Sequence, residues 1–161
     1  MSLWSALSRS ADDTAYLRHS PLFAALTDRE RNQLHRAMHD RYYMAGATIF
    51  RKGDPGLGLF VLREGDVVVV AEPEDWIVHT LSAGACFGEI ALLNEAVRSA
   101  TIRARTDTHV AVLAQPVLHK LIDQRPRLAA KLLWAIAQVT GKRLIEVSEE
   151  LAQLRQGSAT G

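Results

Sequence analysis

The sequence predicts an α+β fold: an antiparallel sandwich or barrel lying between N-terminal helices and one long C-terminal helix. Three observations predict it. Residues ~46 to 114 carry short β-rich runs punctuated by Gly, Asp and Pro, the flanking segments carry helix-opening signals, and the C-terminal part repeats apolar residues at helical spacing. With 161 residues, 48% hydrophobic and 23% charged, the chain suits one compact domain with one appended element. The predicted boundaries are a helical leader over 1–16, a β-rich domain with flanking helices over 17–125, a long helix over 126–155 and a disordered tail over 156–161.

Residues ~11 to 45 read as helical. Asp12 or Asp13 can cap a short helix through Leu17, Ser20-Pro21 breaks it, and Thr27-Asp28-Arg29-Glu30 is a capping box opening a helix through Met38. Strands are expected at Thr48 to Arg51, Leu59 to Arg63, Val67 to Ala71, Trp76 to Leu81, Ser99 to Arg105 and His109 to Leu113. Turns at Gly53-Asp54-Pro55-Gly56, Glu64-Gly65-Asp66 and Glu72-Pro73-Glu74-Asp75 mark the hairpins. Strands this short at such spacing favour a sandwich or barrel.

Beyond the strands, Pro116 opens a short helix through Ile122, and Pro126 stands at the first turn of a long one. On the long helix Leu133, Ala137, Thr140, Leu144, Val147, Leu151 and Leu154 follow at alternating spacings of four and three, a heptad seam suited to a parallel coiled-coil homodimer. The competing use of such a helix is to lie on its own barrel. Leu128, Leu132, Ile136 and Val139 supply a separate stripe for that contact, which leaves the seam available to a second copy.

Composition narrows the function. Lys+Arg 19 against Asp+Glu 18 gives a net charge of +1, so no overall field recruits nucleic acid and a charged ligand must be met locally. Cys86 is the single cysteine, which excludes an internal disulfide framework and a Cys-rich zinc site and fits a reducing, cytoplasmic compartment. No apolar run approaches the ~18 to 20 residues that span a bilayer, and the first residues do not form a signal peptide.

The stretch from Gly84 to Thr101 is a long loop between two strands, and such loops are usually functional. Gly88 lets backbone approach a ligand, and Glu89 to Leu93 has the composition of one helical turn whose free N–H groups attract phosphate. Arg98 offers a planar fork of donors for two phosphate oxygens, and the Ser99 hydroxyl and amide can complete the cradle. The Glu89 carboxylate suits a sugar hydroxyl better than a phosphate. Together they describe a ribose phosphate site; the plainer alternative is that Arg98 and Glu89 pair with each other on the loop.

Phe87-Gly88-Glu89-Ile90-Ala91-Leu92-Leu93, four residues, then Arg98-Ser99-Ala100-Thr101 resembles the phosphate-binding cassette of cyclic nucleotide-binding domains. The resemblance runs from about Leu17 to Leu144 and includes Ser20 to Thr27, Ile49-Phe50-Arg51-Lys52-Gly53-Asp54-Pro55-Gly56 and the turn glycine Gly65. It implies an eight-stranded β-roll, a jelly-roll-like antiparallel barrel, flanked by helices. It further implies that Gly88 and Glu89 hold the ribose 2′-hydroxyl and that Arg98 and Ser99 hold the cyclic phosphate, with Phe87, Ile90, Ala91 and Ala100 completing the site. Val97 stands where the family usually has proline.

The segment Ala137 to Leu144 is similar to the dimer helix of bacterial catabolite activator proteins, which implies that Thr140 reaches an adenine; Gly141 replaces the serine that would serve the partner chain's ligand. The ligand expected from the resemblance is cyclic AMP, with cyclic GMP second. The implied function is a non-catalytic sensor module without cofactor, coupling ligand to movement of a dimer helix and so to a downstream protein. No helix-turn-helix follows Arg155, so DNA binding by this chain is not expected. A metal-dependent cupin-type enzyme is the rival from another class, but His79, His109 and His119 lack the close His-x-His spacing it would use. A dimeric interaction module that binds no nucleotide is the other alternative.

Overall fold

Two four-stranded antiparallel sheets packed face to face carry the fold, with helices laid against one of them. The computed structural model describes residues 13–56, 58–73, 75–94 and 97–158, so the leader to residue 12 and the last three residues of the expected tail lie outside it. The strands are β1 (His39–Tyr43), β2 (Thr48–Phe50), β3 (Gly58–Glu64), β4 (Val67–Ala71), β5 (Trp76–Leu81), β6 (Cys86–Phe87), β7 (Thr101–Ala104) and β8 (Thr108–Ala114). One sheet runs β1-β8-β3-β6 and the other β2-β7-β4-β5, so the roll is open rather than a closed barrel.

Period-two alternation explains the layers. In β3, Leu59 and Val61 point to a core shared with the helices, whereas Phe60 and Leu62 point between the sheets; Ala111 and Leu113 of β8 likewise oppose Val110 and Val112. A sheet buried on both faces reads as a continuous apolar run, which is what β3 and β8 show. The helices are α1 (Ala15–Arg18), a 3-10 turn (Pro21–Phe23), α2 (Asp28–Ala37), α3 (Glu89–Asn94), α4 (Gln115–Gln124) and α5 (Pro126–Ser158). The capping box of α2 forms as its sequence requires, the Glu30 N–H donating to Thr27 Oγ1 at 3.3 Å and the Thr27 N–H to Glu30 Oε2 at 2.8 Å.

Four expectations need correcting. The helical zone was expected to run to about residue 45, but α2 ends at Ala37 with Met38 as its C-cap and β1 follows. His39 to Tyr42 are exposed, so no alternation marks them as strand; their backbone pairing with β8 makes them one. The two residues of β6 lie inside the stretch read as loop. The first helix is shifted from the reading, with Thr14 at its N-cap instead of Asp12 or Asp13 and its last residue Arg18 instead of Leu17. Finally, α5 continues through Gln156 to Ser158, where a disordered tail was expected.

The two stripes of α5 separate as the spacing suggests. Leu128, Leu132 and Ile136 are buried and Val139 packs beside them, while Leu144, Val147 and Leu151 stand exposed. Leu133, at the head of the seam, also packs on the helical core. Lys131 Nζ donates to both Glu30 carboxylate oxygens, at 3.0 and 2.9 Å, tying the first half of α5 to α2.

Candidate functional site

The binding loop starts from β6, which pairs with β3 and buries Phe87 between the sheets. Gly88 then turns the chain into α3 at φ +79. A Cβ at this position would lie 2.3 Å from Arg98 Nη1 and 3.2 Å from the Gly58 carbonyl oxygen, so both the backbone angle and the space call for glycine.

Arg98 is positioned from elsewhere in the chain. Its N–H donates to the Asp54 carbonyl at 2.8 Å and its carbonyl accepts from the Gly53 N–H at 2.9 Å. The Asp54 carboxylate in turn accepts from the Arg51 N–H at 2.8 Å, and Gly53 takes φ +87 to make the turn. The guanidinium then lies over the Phe50 and Phe60 rings, 4.2 and 5.2 Å from their centroids, and Nη1 donates to the carbonyls of Gly58 at 3.0 Å and Gly88 at 3.2 Å.

Arg98 is only 5% exposed, and its Nε is buried with no hydrogen-bond partner. Among the described residues no carboxylate forms an ion pair with it. Burial lowers its pKa, with the nearby Asp54 and Glu89 charges opposing that shift. A buried guanidinium satisfied by carbonyls and aromatic faces alone retains donor capacity and positive charge for an anion.

The anion would lie in a cavity of about 530 Å³ lined by this loop, by the inner face of the second sheet and by α5. That volume is within the range of small-ligand sites, ~300 to 1,000 Å³. Phe87, Gly88, Glu89, Ile90, Ala91, Arg98, Ser99 and Ala100 all line it, whereas Leu92, Leu93 and Thr101 of the same stretch do not. Glu89 is buried, whereas Ile90 and Ser99 are exposed at the rim.

Arg98 and Glu89 do not pair with each other. Glu89 instead forms an ion pair with Nη1 of Arg143 on α5, whose Nη2 donates to the Cys86 carbonyl at 3.0 Å. Thr140 does not line the cavity; its Oγ1 is buried without a partner. The helix wall is made by Arg143, Glu146, Val147 and Glu150, of which the sequence reading had named Val147 alone, as a seam residue and not as part of the site. Helical spacing could have found them, because Thr140, Arg143 and Val147 stand at i, i+3 and i+7 on one face.

The remaining candidates have structural surroundings. Cys86 is buried at 3.1 Å from Ser20 Oγ, and burial pushes its thiol up to about 12, so it is a protonated, poor nucleophile at neutral pH. His109 is buried with Nε2 2.9 Å from Asp40 Oδ1, which also accepts from Arg63 at 2.9 Å. His79 lines the cavity from β5. Among the described residues no group of three His, Cys, Asp or Glu side chains is placed to hold a metal ion, and no helix is long and apolar enough to cross a membrane.

A family profile described as "Cyclic nucleotide-binding domain" matches residues 40–125. A cAMP-dependent protein kinase regulatory subunit from Colletotrichum orbiculare is 37% identical over 119 residues, which is 73% of this chain and 30% of that protein. The chain therefore spans under a third of that relative's length. The crystal structure of Thermus thermophilus Catabolite Activator Protein matches with a TM-score of 0.74 at 32% identity, over 84% of this chain and 63% of that one. A cyclic nucleotide-binding domain from Methylobacillus flagellatus gives a TM-score of 0.76 at 25% identity, over 86% of this chain and 80% of that one.

Proposed function

The chain belongs to the cyclic nucleotide-binding domain family, and from that premise we propose that its cavity binds a 3′,5′-cyclic nucleotide, cyclic AMP ahead of cyclic GMP, as a non-catalytic sensor. The observation that carries this reading is Arg98. Its guanidinium is buried in a ligand-sized cavity, paired with no carboxylate among the described residues, and has one orphaned N–H. A cyclic phosphate carries a single negative charge with two free oxygens, which suits one guanidinium fork. Glu89, on the same loop, presents a carboxylate to a sugar hydroxyl, a contact that a simple phosphate or sulfate could not use.

In this reading Ser99 supports the phosphate from the exposed rim and Phe87, Ile90, Ala91 and Ala100 enclose the sugar phosphate. Thr140 would contact the base only after α5 turns or slides, since it lies off the cavity wall in the present arrangement. The exposed stripe of Leu144, Val147 and Leu151 supports a homodimer through residues 133–154, and ligand-dependent movement of that helix would be the signal passed to a protein partner. Neither DNA nor a cofactor has a part in it.

Isothermal titration of the purified chain with cyclic AMP, cyclic GMP, 5′-AMP and inorganic phosphate tests the reading. Micromolar or tighter binding of a cyclic nucleotide, at least about tenfold stronger than 5′-AMP, is expected. Binding of phosphate alone, or of nothing, would overturn it.

A further inference from the structure

We propose a second ligand site on the other side of Arg98: a cavity of about 330 Å³ in the open seam of the roll, suited to a small carboxylate with an aromatic body. The site goes beyond the cyclic nucleotide reading and does not rest on it. β1 and β2 are the end strands of their sheets, each with one hydrogen-bonded neighbour among the described strands, β8 and β7. The cavity lies where these two edges face each other, and it reaches in to Phe60 of β3 and Val112 of β8.

β1 brings charge to one wall. Asp40 and Tyr42 face the helical side, where Asp40 meets His109 and Tyr42 stacks on the same ring with centroids 4.2 Å apart. Tyr43 packs on the inter-sheet core, and by period two Arg41 and His39 share its face; all three line the cavity. Arg41 is exposed, and among the described residues no carboxylate pairs with it. At the inner end stands Arg98, 5% exposed, its Nε buried without a partner, and beside it Gly58, whose carbonyl takes Nη1. Asp54 is the one acid among the described lining residues, and its carboxylate already accepts the Arg51 N–H at 2.8 Å.

Two guanidiniums against one aspartate leave the lining net positive, while Ile49, Phe50, Phe60 and Val112 between them are apolar. Such a slot favours a flat apolar anion, whose ring replaces water on the aromatic faces and whose carboxylate takes a guanidinium, over a small hydrated ion that loses its shell for little apolar contact. An inward-facing charge on an edge strand also discourages pairing with another chain. That role would account for Arg41, but not for the orphaned Nε of Arg98 or the open volume between the two arginines. Arg98 and Phe50 line both this cavity and the first, and the guanidinium lies over the Phe50 ring at 4.2 Å, so this pair is the partition. Anions on the two sides draw on one guanidinium and repel each other, so each weakens the other's binding by the same factor.

The test is an amide NMR titration of the purified chain, wild type and Arg41→Gln, with naphthoate and with the uncharged naphthamide. Naphthoate should bind wild type with a Kd below about 1 mM and shift the amides of residues 39–43, 49–55 and 112–114. Naphthamide on wild type, and naphthoate on Arg41→Gln, should each bind about tenfold or more weakly. Arg41 does not line the first cavity, so cyclic AMP alone should bind both proteins within about twofold. Saturating naphthoate should raise the apparent Kd of wild type for cyclic AMP by about threefold or more. No naphthoate binding, equal binding of acid and amide, equal binding by Arg41→Gln, or shifts centred on residues 87–91 would overturn the second site and leave Arg41 as edge protection. Cyclic AMP affinity unchanged by naphthoate would overturn the shared partition. A wild type that binds naphthoate and no cyclic nucleotide would keep the second site and overturn the functional reading instead.

Discussion

The two walls of the cavity are built by different physics. On the loop side, Arg98 has its backbone fixed by two hydrogen bonds to the Gly53-Asp54 turn and its side chain laid on two aromatic rings, and Gly88 is packed so closely that no Cβ fits. On the helix side, the lining residues sit on an exposed stretch of α5 tied to the roll through Arg143. A pre-organised wall loses little entropy when a ligand arrives, so it supplies affinity. A loosely attached wall changes its population at small cost, so it can report the ligand. In the sensor reading proposed above, recognition would fall to the first wall and signalling to the second.

Arg98→Ala should break the recognition wall outright. It removes the cation facing the phosphate and should weaken cyclic nucleotide binding by about 2 to 5 kcal/mol in a titration, whereas the melting temperature should move little. Affinity unchanged by this substitution would mean the ligand uses neither the fork nor this end of the cavity. Gly88→Ala is a finer probe of the same wall. Its methyl would displace the Arg98 Nη1 atom and strain the φ +79 turn, for a loss of about 1 to 3 kcal/mol in affinity; a smaller loss from the same substitution in the Arg98→Lys background would show that the clash, rather than the turn, is responsible.

The helix wall is challenged by Leu144→Asp combined with Leu151→Asp. Like charges facing across an apolar seam should convert a dimer into a monomer in sedimentation, and the affinity of the loop wall for ligand should change by less than about tenfold. A wild type that sediments as a monomer would remove the seam from the argument.

The smallest effect concerns the sheet behind the loop. Burial lowers the His109 pKa below its ordinary 6.5 and outweighs the opposing Asp40 hydrogen bond. At Asp40 burial alone would raise the pKa, but the His109 hydrogen bond and the Arg63 charge bring it below 3.8. Both groups bind protons more readily in the unfolded chain, so stability should fall as pH falls: first as pH drops below about 6.5 through the imidazole, then as pH falls through the depressed Asp40 pKa. His109→Gln should flatten the first part of that decline in thermal melts taken between pH 7 and 5; an unaltered profile would show that the imidazole does not contribute to it.

How much of this was legible in the sequence depended on whether the signal was local. The capping box at Thr27, the turn glycines and the period-two runs of β3 and β8 are local patterns, and the structure follows them. β1 was not legible, because a polar edge strand of exposed residues is defined by its backbone partner in β8 and not by its own side chains. The loop residues of the site were legible because they are contiguous. Arg143 was legible only as to its helix face, which spacing from Thr140 gives; that it meets Glu89 depends on how far along α5 the chain passes over the loop, a tertiary distance that spacing does not encode.

The Gly53-Asp54 turn has a consequence for how the site can vary. Arg98 takes its backbone position from a turn far upstream in sequence, where the chain passes from β2 in one sheet to β3 in the other, with Pro55 and Val97 bridged alongside. A valine before the arginine therefore need not move the guanidinium, because the bridge and the Arg98 backbone hydrogen bonds use main-chain atoms alone. The position before Arg98 is in this sense a free variable: related chains can vary it and keep the guanidinium where it is.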